Sequence, residues 1–221
     1  MTRPKLAIFD VDGTLVDSQT HITGALSAAF AAEGLALPGD PLRVVGLSLP
    51  EAIRTLAPDL DAGPRARLVT AYRQAYFDLR ANAAPAPLYP GARAVLERLA
   101  ARDDVLMGVA TGKSRRGLDH VLDAHGLTGF FVTCQVADHH PSKPHPAMVL
   151  AALAETGVEA IDAAMIGDTS FDMEMSRAAG LHRIGVGWGY HGAGKLGAAD
   201  RVIDSFAMLP DALNEIWGIA P

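Results

Sequence analysis

The sequence predicts an α/β protein, a Rossmann-like parallel sheet wrapped by helices and interrupted by an inserted all-helical unit. Three observations predict it. Apolar runs of four to six residues alternate with longer amphipathic segments, the pattern of a sheet whose strands are joined by helices. The runs are almost continuously hydrophobic, as strands covered on both faces are. The rhythm then breaks between about Asp17 and Leu88, where helical periodicity persists without a convincing strand. A chain of 221 residues can bury about 70% of its unfolded surface, enough for one sizeable core and a smaller appended unit.

The elements follow in order. Leu6–Phe9 reads as the first strand. The insertion reads as helices over Thr20–Glu33, Leu49–Leu56 and Pro64–Ala84, with Pro38, Pro41, Pro50, Pro58 and Pro64 marking its turns. The stretch AAPAPLYP, Ala83 to Pro90, is a proline-stiffened return linker. These limits divide the chain into a core of residues 1–16 and 88–221 and an insertion of residues 17–87. The core continues with helices Pro90–Ala101, Ser114–His125, Pro146–Thr156 and Phe171–Ala179. Its remaining strands are Val105–Ala110, Phe131–Thr133, Ala163–Ile166 and Arg183–Val186. Pro90 and Pro146 stand where a first helical turn tolerates proline, and Gly126, Gly157 and Gly180 stand where helices end.

Composition excludes several classes of function. With 49% hydrophobic and 20% charged residues the chain is not disordered. A net charge of -6 offers no long-range attraction to nucleic acid or to an anionic membrane surface, so an anionic ligand must be met by local cations. No apolar run reaches the ~18 residues of a membrane span. The single cysteine, Cys134, has no intramolecular partner and reads as a small buried hydrophobe. The start MTRPKLAIFD turns polar at Asp10, before a signal-peptide core develops, so the cytoplasm is the expected location. The expected partner is a small molecule, and the chain is expected to be a monomer or homodimer.

The chemistry concentrates in FDVDGTLVDS, Phe9 to Ser18, where Asp10, Asp12 and Asp17 follow an apolar run. Crowded carboxylates resist joint ionisation unless a cation joins them. Three predicted strands also end in polar residues, at Asp10, Thr111 and Asp168. In open parallel sheets ligands bind beyond the carboxyl ends of strands, so these residues converge if their strands are neighbours. Asp17 reads as a helix-start or hinge residue.

Four stretches together, DVDGT at Asp10 to Thr14, the strand ending in Thr111, Lys143 in SKPHP, and GDTSFD at Gly167 to Asp172, resemble the motifs of the haloacid dehalogenase (HAD) superfamily of phosphohydrolases. The helical insertion, GVGWGY at Gly185 to Tyr190 and ADRVIDSFAML at Ala199 to Leu209 are similar to the phosphoglycolate phosphatase-like branch, which has a small helical cap. The resemblance implies a Mg²⁺-dependent hydrolase of a small phosphomonoester, phosphoglycolate-like or another phosphometabolite. It implies Asp10 as the nucleophile that becomes an aspartyl phosphate, and a carboxylate with an ordinary pKa of ~3.9 is already ionised for that task. Asp12 is the implied general acid and base. Asp168, Asp10 and the backbone carbonyl of Asp12 resemble the Mg²⁺ site. Asp172 either contacts the metal through water or holds Lys143, or is only a helix N-terminal charge. Lys143 bridges nucleophile and phosphate, while the Thr111 hydroxyl and Gly112 N–H bind phosphate oxygens. Lys113 either assists them or is solvated.

Other readings stay in view. Sugar phosphomutases of the superfamily usually carry a histidine twelve residues after the nucleophile, where this chain has Ile22, with His21 one place earlier. Dehalogenase relatives lack the second aspartate, present here as Asp12. A non-catalytic binding protein on the same fold is disfavoured by the retention of Asp10, Asp12, Lys143 and Asp168. Arg43 opens RVVGLS, similar in position to the loop that reads substrates in relatives, and is expected either to pair with a substrate carboxylate or to be a plain surface arginine. Arg54, Arg65, Arg67, Arg73 and Arg80 read mostly as solvated helix faces, and His139, His140 and His145 as a loop rather than a zinc site. Trp188 and Tyr190 read as packing residues in a turn-rich segment.

Overall fold

A computed structural model describes residues 3–219. Six parallel strands, β1 (Lys5–Phe9), β2 (Val105–Thr111), β3 (Thr133–Val136), β4 (Ala163–Gly167), β5 (His182–Val186) and β6 (Arg201–Ile203), form one sheet. Their order is β3-β2-β1-β4-β5-β6, so the chain reverses its direction of travel across the sheet at β1. The crevice beyond the carboxyl end of such a strand is where open sheets of this kind hold ligands.

The period of two in β1 separates two apolar layers. Ala7 and Phe9 face helices α4 (Ala92–Ala100), α5 (Arg115–Ala124) and α8 (Leu209–Ile216), where Leu96, Leu118 and Leu213 are fully buried. Leu6 and Ile8 face the other way, onto Met148 and Val149 of α6 (Ala147–Thr156) and Met175 of α7 (Ser170–Ala178). Both faces of the central strands are therefore dry, which is why they read as unbroken apolar runs.

Between β1 and α4 the chain leaves the sheet for α1 (Gln19–Ala32), α2 (Leu49–Leu56) and α3 (Ala62–Asn82). These helices share an apolar cluster built on Leu26, Phe30, Ile53, Leu56 and Leu68. The outgoing and returning segments are tied by backbone hydrogen bonds, Asp17 N–H to Pro87 O at 2.9 Å and Tyr89 N–H to Leu15 O at 2.9 Å. Asp17 itself is exposed and accepts the Gln19 N–H, a local helix-start contact.

Three expectations about the elements are corrected. β3 begins at Thr133 rather than Phe131, because Val132, although apolar, is 59% exposed in the approach to the strand. Cys134 is only half-buried, on the flank of the core, and burial pushes its thiol pKa up. β6 and α8 also belong to the core. β6 is an edge strand burying only Ile203, too short to register as an apolar run.

Candidate active site

Asp10 follows the last residue of β1, and its backbone N–H donates to Ile166 O of β4 at 2.9 Å. That bond fixes the carboxylate at the sheet edge, 1% exposed. Its Oδ1 accepts the Val11 N–H at 2.6 Å. Its Oδ2 lies 3.1 Å from the Lys143 ammonium but accepts no well-directed hydrogen bond. Burial raises the Asp10 pKa from 3.8 to about 7 against the opposing pull of Lys143, and the Asp172 and Asp12 charges add to the rise.

Asp168, just past β4, is fully buried. Its Oδ1 accepts from Thr14 Oγ1 at 3.0 Å and its Oδ2 from the Tyr190 N–H at 2.8 Å. Burial, then the charges of Asp172 and Asp10, hold its pKa well above the usual carboxylate range. Two glycines allow this packing. A Cβ on Gly13, whose φ is +80°, would lie 2.2 Å from Asp168 Oδ2, and one on Gly189 would lie 2.1 Å from Asp168 Cβ. The segment around Trp188 and Tyr190 is thus part of the site's support: Trp188 Nε1 donates to Thr14 O at 3.2 Å and Tyr190 Oη accepts the Ser18 N–H at 2.9 Å.

Lys143 has no exposed side-chain surface. It donates to Asp172 Oδ1 at 2.6 Å. Burial alone would lower the ammonium's pKa, but Asp10 and Asp172 more than reverse this, so it stays above the ordinary lysine value. Asp172 Oδ2 accepts the Thr169 N–H at 3.1 Å and the Thr169 hydroxyl at 2.7 Å, completing a capping box at the start of α7. Both of its oxygens are therefore engaged in holding Lys143 and the helix start. Thr169→Ala is expected to cost about 1 kcal/mol of stability through the lost cap, read as a lower urea midpoint at unchanged slope.

Asp12 and Asp10 face a cavity of about 710 Å³ between the sheet edge and the insertion, together with Thr111, Gly112 and Lys113. Thr111 is buried at the end of β2. Gly112 is pressed against the insertion: a Cβ there would meet Leu47 O at 2.5 Å and Gly46 O at 2.6 Å. Asp12 Oδ1 accepts from the Ser18 hydroxyl and lies 2.8 Å from the Lys113 ammonium. Lys113, which as a sequence position is as easily a solvated lysine, has a side chain only 8% exposed and also donates to Tyr76 Oη of α3 at 3.3 Å. Burial opposes its charge, and Asp12 more than restores it.

Asp10, Asp168 and Asp172 present carboxylate oxygens within 4.8 Å of one another, a set able to hold a hard cation. Among the described residues the histidines form no such group: His140 pairs with Gln135 at 2.8 Å. His21 packs edge-on to Tyr76 in a small adjoining recess, while Ile22 lines the main cavity. Arg43 is not brought to the cavity. It sits exposed on a 3-10 turn, Pro41–Val44, which turns Val44 and Val45 inward instead.

The haloacid dehalogenase-like hydrolase family matches residues 7–186, a span that includes Asp10, Thr111, Lys143 and Asp168. The chain belongs to this family. Among relatives of this hydrolase, a phosphoglycolate phosphatase of Rhodospirillum rubrum is 37% identical over 96% of this chain and 91% of its own. One from Caulobacter vibrioides is 36% identical over 92% and 88%. The crystal structure of a hydrolase from Pseudomonas syringae superposes with a TM-score of 0.84 at 28% identity, covering 96% of this chain and 99% of that one. The resemblance carried by DVDGT, Lys143 and GDTSFD thus extends through the hydrolase fold, and no described helix is long and apolar enough to cross a membrane.

Proposed function

We propose that this hydrolase is a Mg²⁺-dependent phosphatase acting on a small phosphomonoester through an aspartyl-phosphate intermediate, beneath a helical cap formed by residues 17–87. The observation that carries this reading is the Asp10 carboxylate: fixed at a strand end, facing the cavity, with Oδ2 free of any well-directed hydrogen bond and a buried ammonium 3.1 Å away. An Asp10 oxygen attacks phosphorus as the ester P–O bond breaks, and the leaving oxygen takes a proton from Asp12. Asp12, now a carboxylate, removes a proton from water. That water's oxygen attacks phosphorus, releasing inorganic phosphate and restoring Asp10.

Lys143 holds the nucleophile against Asp172 and offers positive charge to the phosphoryl oxygens, while Thr111 and the Gly112 N–H hold the remaining oxygens. The donor set fits Mg²⁺: buried hard oxygens from Asp10 and Asp168 and an unsatisfied Asp10 oxygen beside an excess of negative charge, to which the family resemblance adds the Asp12 backbone carbonyl. Asp172, with both oxygens engaged, serves Lys143. When bound, the ion supplies charge neutralisation for the carboxylates and the incoming phosphate dianion. The phosphatase names of the relatives support the same reading. Purified protein is expected to release phosphate from p-nitrophenyl phosphate with Mg²⁺, to stop with EDTA, and to recover when Mg²⁺ is returned in excess. Equal turnover in EDTA would overturn the metal dependence.

A further inference from the structure

The cavity is larger than a two-carbon phosphoester requires. Beyond Lys113 it continues along α3, between Tyr72 and Tyr76, whose rings stack at 5.6 Å, and the apolar side chains of Leu26, Val45 and Leu47. Its lining includes half-buried Arg80 of α3 and exposed Arg116 of α5, one from the insertion and one from the sheet domain. Lys113 Nζ and Arg80 Cζ approach the same Tyr76 ring, at 5.5 Å and 5.8 Å from its centroid, and Arg116 Cζ stands 5.1 Å from the Phe77 centroid.

These arginines lack anions. Among the described residues neither has a carboxylate within 4.0 Å, whereas adjacent Arg115 is paired with Asp119 at 3.6 Å. Of the other acids at this end, Asp123 accepts from Thr128 Oγ1 and Asp138 accepts the Arg115 N–H. Arg80 Nε is buried with no hydrogen-bond partner. Partial burial lowers the Arg80 pKa, Tyr76 opposes the change, and the like charge of Arg116 reinforces it. Two guanidiniums without carboxylate partners, Arg80 half-buried and Arg116 exposed, line both the aromatic-walled cavity and an open outer recess shared with Asp119 and Asp123, and form a second anion site at that rim.

We infer that the substrate is an elongated phosphomonoester with an apolar or aromatic body and a second anionic group, a carboxylate or phosphate, held by Arg80 and Arg116. This inference rests on the phosphatase reading above and deepens it. The body lies along Tyr72 and Tyr76, and the distal anion spans the seam between insertion and sheet, so its binding also draws the two together.

The test compares phenyl phosphate with para-carboxyphenyl phosphate in Mg²⁺, with phosphoglycolate as the short control that carries both a phosphate and a carboxylate. Wild type is expected to favour the para-carboxy compound over phenyl phosphate by about tenfold or more in kcat/KM, and over phosphoglycolate as well. The doubly substituted Arg80→Gln, Arg116→Gln protein is expected to reduce the first ratio to about threefold or less, while its unfolding midpoint stays near that of the wild type. Calorimetry with para-carboxyphenyl phosphate on the Asp10→Asn protein, with and without the two arginine substitutions, is expected to show Kd weakened about tenfold. Hydrolysis of both aryl esters without preference, or a preference that survives the double substitution, overturns the second anion site alone. Hydrolysis of none of the three overturns the phosphatase reading and this inference with it. A para-phosphonomethyl analogue bound more tightly than the para-carboxy compound would assign the distal group as phosphate.

Discussion

Asp10→Asn is expected to lower phosphate release by at least about 10³-fold, because it removes the atom that bonds to phosphorus rather than a group that assists. The same substitution should leave the fold intact and, without divalent cations, make it more stable at alkaline pH. The sign follows from the raised pKa. Asp10 titrates at 3.8 in the unfolded chain and at about 7 in the folded one. Its contribution to folding is therefore neutral below 3.8, grows unfavourable as the pH rises to about 7, and is constant above that. Removing the charge recovers a few kcal/mol, in order of magnitude, at pH ~8 and little at pH ~4. Thermal unfolding in EDTA across that range, beside phosphate-release rates in Mg²⁺, separates the two effects. Retained turnover would exclude Asp10 as nucleophile, and lost turnover with a lower midpoint at both pH values would mean a damaged fold.

Most of the scaffold was legible because both faces of the sheet are buried. Leu6–Phe9 and Ala163–Ile166 announce themselves as apolar runs since neither strand has a wet side, and each run gives way to a buried aspartate of the site, Asp10 directly and Asp168 after Gly167. Legibility failed where tertiary partners replace local pattern. Val132 is apolar yet exposed, so the run overstates the start of β3, and β6 has too little buried surface to leave a signature. Lys113 follows Thr111-Gly112, a hint of a strand end opening to an anion, but its burial depends on Asp12 and Tyr76, which no local reading supplies. Gly13 and Gly189 are interpretable only once Asp168 is seen against both. Arg43 and Arg80 are indistinguishable as letters: one lies on an exposed turn and the other lines the cavity.

Lys143→Met carries the second large effect, on stability as well as rate. The ammonium touches Asp10 at 3.1 Å and Asp172 at 2.6 Å with no exposed side-chain surface, and Asp168 adds a third buried carboxylate to the group. Methionine keeps most of the side chain's length and apolar contact, so the change isolates the charge. With Mg²⁺ chelated at pH ~8, the loss of one partner from a buried ion cluster is expected to cost about 3–5 kcal/mol. The cost should shrink toward low pH, where protonation neutralises the carboxylates left behind, and should shrink again in Mg²⁺, which binds only the folded chain and restores positive charge by mass action. Phosphate release should fall about 10²–10³-fold even where Mg²⁺ restores the fold, since the ion does not replace the ammonium beside the phosphoryl oxygens. Adding Asp172→Asn decides whether electrostatics is the cause. If the deficit is an unpaired buried charge, the second substitution recovers part of the lost stability even though it weakens the Thr169 cap. If the deficit is lost packing, the two substitutions add, and the role assigned to Lys143 as the cluster's internal counter-ion fails.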